Sequence, residues 1–219
     1  MNDAPVNTVP ATQTVVEDIQ TTISGISISD VDAASNSLTT RLQVLNGTVN
    51  VSLAGLASIS AGVNGSADLT IQGTVADINA TLASLSYTGN ADIEGINADT
   101  LTVTTDDLGY SGSGGAQSDV DTIQIDITGI NDDPGATGLV TDIIVTEDVL
   151  SNVDLSAVNF FDVDAGTGLT TVTLSTSTGG ELTLAADANL TFGGIATART
   201  ITGSLADLNT YFNLSLIHI

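Results

Sequence analysis

The sequence contains no cysteine, no tryptophan, only two basic side chains and a single histidine. Without cysteine, disulfides are excluded, and so are zinc sites built from cysteine and histidine. His218 is the only histidine, and no Gly-x-Ser-x-Gly motif is present, so we expect no Ser-His-Asp triad. Aromatic residues make up 3% of the chain, which leaves few rings for stacking on a sugar. We therefore predict that the chain is not an enzyme.

Positive charge is also nearly absent. The chain has 26 acidic and 2 basic residues and a formal net charge of -24. So few cations cannot neutralise phosphates, which argues against nucleic acid and against anionic membrane surfaces. No apolar run approaches the roughly 20 residues of a transmembrane helix, so we expect no direct membrane insertion. Solvation, salt or divalent cations must therefore offset the carboxylates.

The residues that are abundant favour β-structure. Hydrophobic residues make up 42% of the chain, which is enough to bury a core. Polar and apolar residues alternate in Thr48–Leu53, Leu101–Val103 and Ile123–Ile127, as expected of strands with one buried face. Asn46-Gly47 and Asn64-Gly65 are turn signals between such segments. The pattern predicts an all-β fold of β-sandwich type.

One segment has a different period. Val75, Ile78, Leu82 and Leu85 are spaced three, four and three residues apart. This spacing places their side chains on one face of a helix. We predict a single short helix over Val75–Leu85.

An internal repeat organises the chain. Four landmarks recur in the same order at offsets of about 130 residues. They are Asn2–Pro5 with Asn131–Pro134, Val16–Asp18 with Thr146–Asp148, Asp30–Ala33 with Asp162–Ala165, and Gly73–Asn79 with Gly203–Asn209. The spacing predicts a first repeat at residues 1–130 and a partial second repeat at residues 131–213, each with an inserted short helix.

The last residues do not follow the repeat. The match between the two copies ends after Asn213, and Ser215–Ile219 resembles translated sequencing-adapter read-through. We therefore expect residues 214–219 to be a non-native tail. The second repeat then lacks its last strands and exposes an edge.

The recurring Asp and Asn residues suggest metal chemistry. Ca²⁺ takes six to eight oxygen ligands from carboxylates, amides, carbonyls and water. In an extended chain, the two carboxylates of Asp-x-Asp lie on one side, where at about 4 Å they repel by roughly 4 kcal/mol. Asp30-Val31-Asp32 taken alone is better explained as a solvated turn. The set recurring at fixed offsets favours calcium.

These motifs together resemble cadherin-type repeats, specifically the cadherin-like tandem repeats of bacterial RTX-type adhesins secreted by type I systems. Ile127–Pro134 resembles the linker between two such repeats. The other matching motifs are the glutamates Glu17 and Glu147, Asp92-Ile93-Glu94, Thr105–Gly109 and Asp162-Val163-Asp164. The linker departs from the family pattern, because it reads Asn-Asp-Asp-Pro and is shorter than the full family string.

The resemblance implies tandem cadherin-like, Ig-like Greek-key β-sandwiches joined by a calcium cluster. The implied Ca²⁺ ligands are Glu17, Asp92, Glu94, Asn131, Asp132, Asp162 and Asp164. It further implies an extender segment of a large surface adhesin that supports cell adhesion and biofilm formation. Its partners would be neighbouring repeats, and its location the outside of a bacterial cell. Two alternatives stay open: a carbohydrate- or protein-binding β-sandwich module, and an accessory domain of a secreted enzyme.

Overall fold

The computed structural model describes residues 1–110, 113–146, 148–177 and 180–214 and the backbone of residues 216–218. Glu147, which the sequence pairs with Glu17, lies outside the described residues. The chain divides into two compact units, Met1–Ile130 and Asn131–Ile219, called here the first and the second unit.

The first unit consists of short strands and one helix. In chain order they are β1 (Val6–Thr8), β2 (Gln13–Val16), β3 (Thr21–Thr22), β4 (Ser27–Ser29), β5 (Leu38–Gln43), β6 (Gly47–Asn50), β7 (Ser58–Gly62), β8 (Asp68–Gly73), α1 (Val75–Leu82), β9 (Ser86–Gly89), β10 (Gly95–Asp106) and β11 (Ser118–Thr128).

These strands form three sheets around one core. The six-stranded sheet has the order β2-β11-β10-β5-β8-β7, the three-stranded sheet β3-β9-β6, and β1 pairs with β4. Leu42 and Val103 of the large sheet, Val49 and Tyr87 of the three-stranded sheet and Ile28 of β4 share a single buried cluster. Apolar faces of separate sheets are thereby removed from water together. The prediction of an all-β fold is confirmed.

One predicted strand is shorter than its alternation suggested. Thr48–Leu53 alternates throughout, but β6 ends at Asn50. The Asn64 side chain accepts a hydrogen bond from Val51 N at 2.9 Å and donates one to Val51 O at 2.8 Å. This side chain satisfies both backbone groups that a neighbouring strand would otherwise bind, so the ladder stops there.

The predicted helix is present as α1. Thr74 caps it, because its Oγ1 accepts a hydrogen bond from Asp77 N at 3.2 Å, and Ile78 and Leu82 are buried. The helix ends at Leu82, three residues earlier than predicted. After it, Ser84 Oγ donates to the Thr81 carbonyl at 2.7 Å, a side-chain bond that satisfies one of the last helix carbonyls.

The second unit repeats part of this arrangement. Its elements are β12 (Gly135–Thr137), β13 (Asn152–Asp154), β14 (Asn159–Phe161), β15 (Thr170–Ser175), β16 (Thr191–Ile195), β17 (Ala198–Gly203), α2 (Leu205–Leu214) and β18 (Leu216–His218). They form a three-stranded sheet, β15-β17-β16, and the pairs β12-β14 and β13-β18.

The correspondence between the units extends to individual contacts. Leu38 pairs with Gly73 between β5 and β8, and Thr170 pairs with Gly203 between β15 and β17. Asn79 of α1 both accepts from Ile28 N and donates to Ile28 O in β4. Asn209 of α2 makes the same two bonds to the backbone of Phe160 in β14. The sequence repeat is therefore also a repeat of structure.

The second unit differs in one respect. Its described residues include no counterpart of β10 or β11, so β15 lies at the edge of its sheet. The backbone of β18 pairs with β13, Ile217 opposite Val153, much as β9 pairs with β3, Tyr87 opposite Thr21. Ser215 and Ile219, which belong to the segment expected to be a non-native tail, lie outside the described residues.

Candidate metal centre

Glu17 is a buried acid at the end of the first unit. It directly follows β2, which runs parallel to β11, and its N–H donates to the Thr128 carbonyl at 3.0 Å. The side chain is only 2% exposed, and its Oε1 accepts a hydrogen bond from Ile130 N at 2.7 Å. Its Oε2 is buried and has no hydrogen-bond partner among the described residues. Burying a carboxylate oxygen without a hydrogen-bond partner costs free energy.

A second carboxylate lies beside it. A Cβ added at Gly129 would collide with Glu94 Oε2 and would lie 3.4 Å from Glu17 Oε1. The two glutamate side chains therefore both lie beside Gly129, and the absence of a side chain at this glycine leaves room for them. Asp92, the third predicted ligand in this unit, is exposed and has a left-handed backbone, with φ of 62°.

Basic side chains do not balance these charges. The chain has only two, Arg41 and Arg199. Arg41 forms an ion pair with Asp68, and Arg199 donates to the Leu182 carbonyl at 3.0 Å. Glu94 is exposed and is reached by solvent, whereas Glu17 is buried. Oxygen ligands of this kind suit a hard divalent ion.

Acidic residues also lie at the beginning of the second unit. Asp164 Oδ2 accepts a hydrogen bond from Asp132 N at 2.5 Å. Asp162 Oδ1 accepts from Asp164 N at 3.1 Å and from Ala165 N at 3.0 Å, which closes a tight turn. Asn131 donates from its side chain to the Asp132 carbonyl at 2.9 Å. The structure thus brings together the four ligands that the sequence predicts in this unit.

The acids of the second unit begin close in the sequence to the residue that binds Glu17. Ile130, whose N–H binds Glu17, is separated from Asp132 by one residue in the sequence. Asp132 in turn binds Asp164. Glu17 in the first unit and Asp132 and Asp164 in the second are candidate metal ligands.

A matching set at the start of the first unit was not among the predicted ligands. Asp32 Oδ2 accepts from Asp3 N at 3.1 Å, and Asp30 Oδ1 accepts from Asp32 N and Ala33 N at 3.0 Å each. These contacts reproduce those of Asp164 and Asp162. The signal was present in the sequence, since Asp30–Ala33 is the first copy of the landmark that supplied Asp162 and Asp164.

In the first unit, the pKa values of Asp30 and Asp107 are shifted in opposite directions. Burial raises the pKa of Asp30, whose carboxylate lies next to Asp32. Burial also acts to raise the pKa of Asp107, but hydrogen bonds from Gln117 N, Gly109 N and the Asn2 amide outweigh it and lower the pKa below its ordinary value.

A cavity of about 430 Å³ lies elsewhere on the first unit. Its lining includes the polar side chains of Gln43, Asn46, Asn97 and Thr100, and no aromatic ring is among the lining residues. Asp99 at its wall is only 4% exposed and accepts hydrogen bonds from Leu45 N, Asn46 N and the Tyr87 hydroxyl. Its carboxylate is thus used in holding the neighbouring loop, so the cavity offers mainly amides and hydroxyls.

Comparisons with known proteins add no further constraint. No protein-family model matches the chain, and no curated protein matches it. Neither helix in the described part of the chain is long and apolar enough to cross a membrane.

Proposed function

We propose that this chain is a structural segment of a large bacterial surface adhesin, built from tandem cadherin-like Greek-key β-sandwiches and stiffened by calcium where one repeat joins the next. The observation that carries the proposal is the buried Oε2 of Glu17, which has no partner among the described residues. The other carboxylate oxygen of Glu17, Oε1, accepts a hydrogen bond from Ile130 N, the last backbone N–H of the first unit.

The repeated acidic turn supports the same function. In both units an Asp-Val-Asp-Ala turn offers its second carboxylate to a backbone N–H of the segment that opens the unit, Asp3 N in one and Asp132 N in the other. A device that recurs at the start of each repeat suits a role that every junction shares. It does not suit a single catalytic centre, which needs to occur only once.

Calcium fits the donor set. The family resemblance assigns seven oxygen donors: the carboxylates of Glu17, Asp92, Glu94, Asp132, Asp162 and Asp164 and the side-chain amide of Asn131. A bound divalent cation would convert the repulsion among them into attraction. Extracellular calcium sites bind at about 10⁻⁴–10⁻³ M, so they would be empty in the cytosol and filled outside the cell. The repeats would then stiffen after export and hold a terminal binding domain away from the surface.

The test compares Glu17→Gln with the wild-type chain in thermal unfolding, with millimolar calcium and with EDTA. Glutamine retains an oxygen that can accept from Ile130 N but removes the charge of the unpartnered oxygen. We expect calcium to raise the melting temperature of the wild-type chain by roughly 3–8 °C. In the variant, we expect that shift to fall by at least half.

Glu181→Gln is the matched control, because it removes the same charge from an exposed residue outside this centre. It should keep the full calcium shift. If the wild-type chain melts at the same temperature in calcium and in EDTA, and small-angle scattering shows no change in its dimensions, the calcium proposal is wrong.

One observation favours a second function, a carbohydrate-binding module. The cavity beside Asn46 and Thr100 presents amides and hydroxyls, which can bind sugar hydroxyls. Its lack of an aromatic platform makes this the weaker candidate. Binding of a glycan by the wild-type chain on an array, abolished by Thr100→Val, would favour it over a purely structural role.

A further inference from the structure

The edge strand β7 of the first unit lies in a part of the chain that carries no charge. Residues 42–67, between Arg41 and Asp68, contain no acidic or basic side chain, although the chain has a formal net charge of -24. No other stretch without charge in the sequence is as long. Strand β7 falls within it and forms one edge of the six-stranded sheet. An acidic molecule that approaches this edge therefore meets less repulsion than elsewhere.

Strand β7 also lacks the residues that commonly protect an edge strand. The outer N–H and C=O groups of such a strand can pair with another chain, and charged side chains or proline usually prevent this. Ser58–Gly62 contains neither, although its pairing with β8 has a bulge between Ile59 and Ala61. In the described part of the chain, β8 is the only strand that pairs with it. The outer side of β7 is therefore open to a further strand.

Exposed apolar side chains lie at both ends of this strand. Leu56, two residues before β7, is 89% exposed, and Val63, directly after it, is 68% exposed. Leu53 is 47% exposed. Covering such side chains with a partner lowers the free energy, because it removes apolar surface from water.

The acidic side chains of neighbouring elements already have partners within the unit. Asp68 of β8 forms the ion pair with Arg41. Asp77 of α1, which lies beside Gly55, accepts a hydrogen bond from the Thr74 hydroxyl at 2.8 Å. The surroundings of β7 thus offer a basic ligand less than the many acidic residues elsewhere on the chain do.

The second unit has the same feature. Strand β16 corresponds to β7, because it pairs with β17 as β7 pairs with β8 and likewise lies at one edge of its sheet. Residues 188–198 contain no charged side chain, and Ile195 at the end of β16 is 68% exposed. An edge strand without charge is therefore a property of both copies of the repeat.

We propose that two copies of this chain associate side by side through the β7 edge, where β7 of one copy pairs antiparallel with β7 of the other. The charge pattern argues for this occupant. A basic partner would bind the acidic surface in preference to an uncharged edge, whereas a second copy can approach most easily where no carboxylates are brought together. A two-fold axis lets one strand supply both halves of the interface.

Backbone hydrogen bonds and the flanking aliphatic side chains would provide the affinity of this contact. Only five residues of each copy would pair, so we expect a transient association with a Kd on the order of 0.1–1 mM. Both copies are strongly acidic, so salt should strengthen the association by screening their repulsion. The inference goes beyond the proposed function and does not depend on calcium.

The experiment is sedimentation equilibrium of the full chain in EDTA, up to about 1 mM protein, at low and at high salt. We expect a monomer–dimer equilibrium with more dimer at high salt, and slower hydrogen exchange at the amides of β7 as the protein concentration rises. Ser58→Asp should weaken the dimer at least about tenfold, because it adds a charge to the paired edge of both copies. Ser58 is exposed, so this change should not unfold the unit.

Thr14→Asp is the matched control. Thr14 is exposed in β2, the strand at the opposite edge of the same sheet. This variant adds the same charge to the chain but leaves β7 unchanged, so it should alter the dimer affinity by less than about twofold.

Three results would overturn the proposal. One is a chain that stays monomeric at about 1 mM and high salt. The second is an equal loss of association in Ser58→Asp and Thr14→Asp, which would indicate general repulsion and not a contact at β7. The third is an association that salt weakens, which would place the contact between charged surfaces.

Discussion

The two units share a sequence pattern, a register and a helix contact, yet they bury their apolar residues to different extents. In β5, Leu38, Thr40 and Leu42 are fully buried, whereas the corresponding β15 residues are only half-buried. Leu42 and Leu174 are the same residue type, so at that position the difference lies in what the two strands face. Burial at a position is therefore a property of the completed sheet rather than of the strand that carries the residue.

The largest expected effect tests that comparison in the core. Leu42→Ala should lower the free energy of unfolding of the first unit by about 2–5 kcal/mol, because it opens a cavity in a filled core. Leu174→Ala should cost the second unit about half of that or less, because its side chain is only half-buried. Native-state hydrogen exchange in increasing urea measures the two units separately. Equal losses would mean that both cores are packed equally well, which would break the comparison.

The strands, the helix and the repeat could be predicted because they depend on local patterns. Alternation in Ile123–Ile127 and the spacing from Val75 to Leu82 are properties of short segments. The end of β6 at Asn50 could not be predicted, because it depends on the side chain of Asn64, which bonds to the backbone of Val51. The two residues of that contact are close in space but thirteen positions apart in the chain.

The candidate site was predictable as a set of residue types but not as an arrangement. The acidic landmarks indicated an oxygen-rich site at Asn131–Pro134. The burial of Glu17 follows from the parallel pairing of β2 with β11, whose partner residues are more than a hundred positions apart in the chain. The two hydrogen bonds between the Asn79 side chain and the backbone of Ile28 likewise require the helix to pack on β4. Neither contact leaves a signal in the spacing of residues along the sequence.

A smaller effect, and one that depends on pH, is expected at Asp107. The pKa of this carboxyl is lowered in the folded chain, so it stabilises the first unit above its unfolded pKa of about 3.9, and this stabilisation is lost as the pH falls through the lower folded value. Asp107→Asn also places an amide against the Asn2 amide, which now donates to Asp107 Oδ2. At pH 7 we expect a loss of about 1–3 kcal/mol.

Urea unfolding from pH 7 down to pH 3 checks this prediction. The difference between the wild-type chain and Asp107→Asn should shrink below about pH 4. Exchange at the amides of the second unit should not respond to the substitution. A difference that stays constant with pH would show that the aspartate acts by its shape and not by its charge.

The smallest effect concerns the only ion pair in the described part of the chain. Arg41 Nε lies 2.8 Å from Asp68 Oδ1, and its Nη2 lies 2.5 Å from Asp68 Oδ2, but both side chains are 46% exposed. The hydrogen bond from Arg41 lowers the pKa of Asp68. The corresponding residues of the second unit, Thr173 and Ala198, are neutral. The ion pair is therefore a second difference between the units, which must be separated from the difference in their cores.

Three variants separate the contribution of the ion pair from that of the core: Arg41→Gln, Asp68→Asn and the double variant. Exposed ion pairs contribute little and are screened by salt, so each substitution should move the melting temperature of the first unit by no more than about 2 °C. The coupling between them should disappear at 1 M salt. If instead Arg41→Gln lowered the stability of the first unit to that of the second, charge and not the completed sheet would account for the difference between them. Because solvent reaches both partners while Leu42 is fully buried, we expect the first unit to stay the more stable.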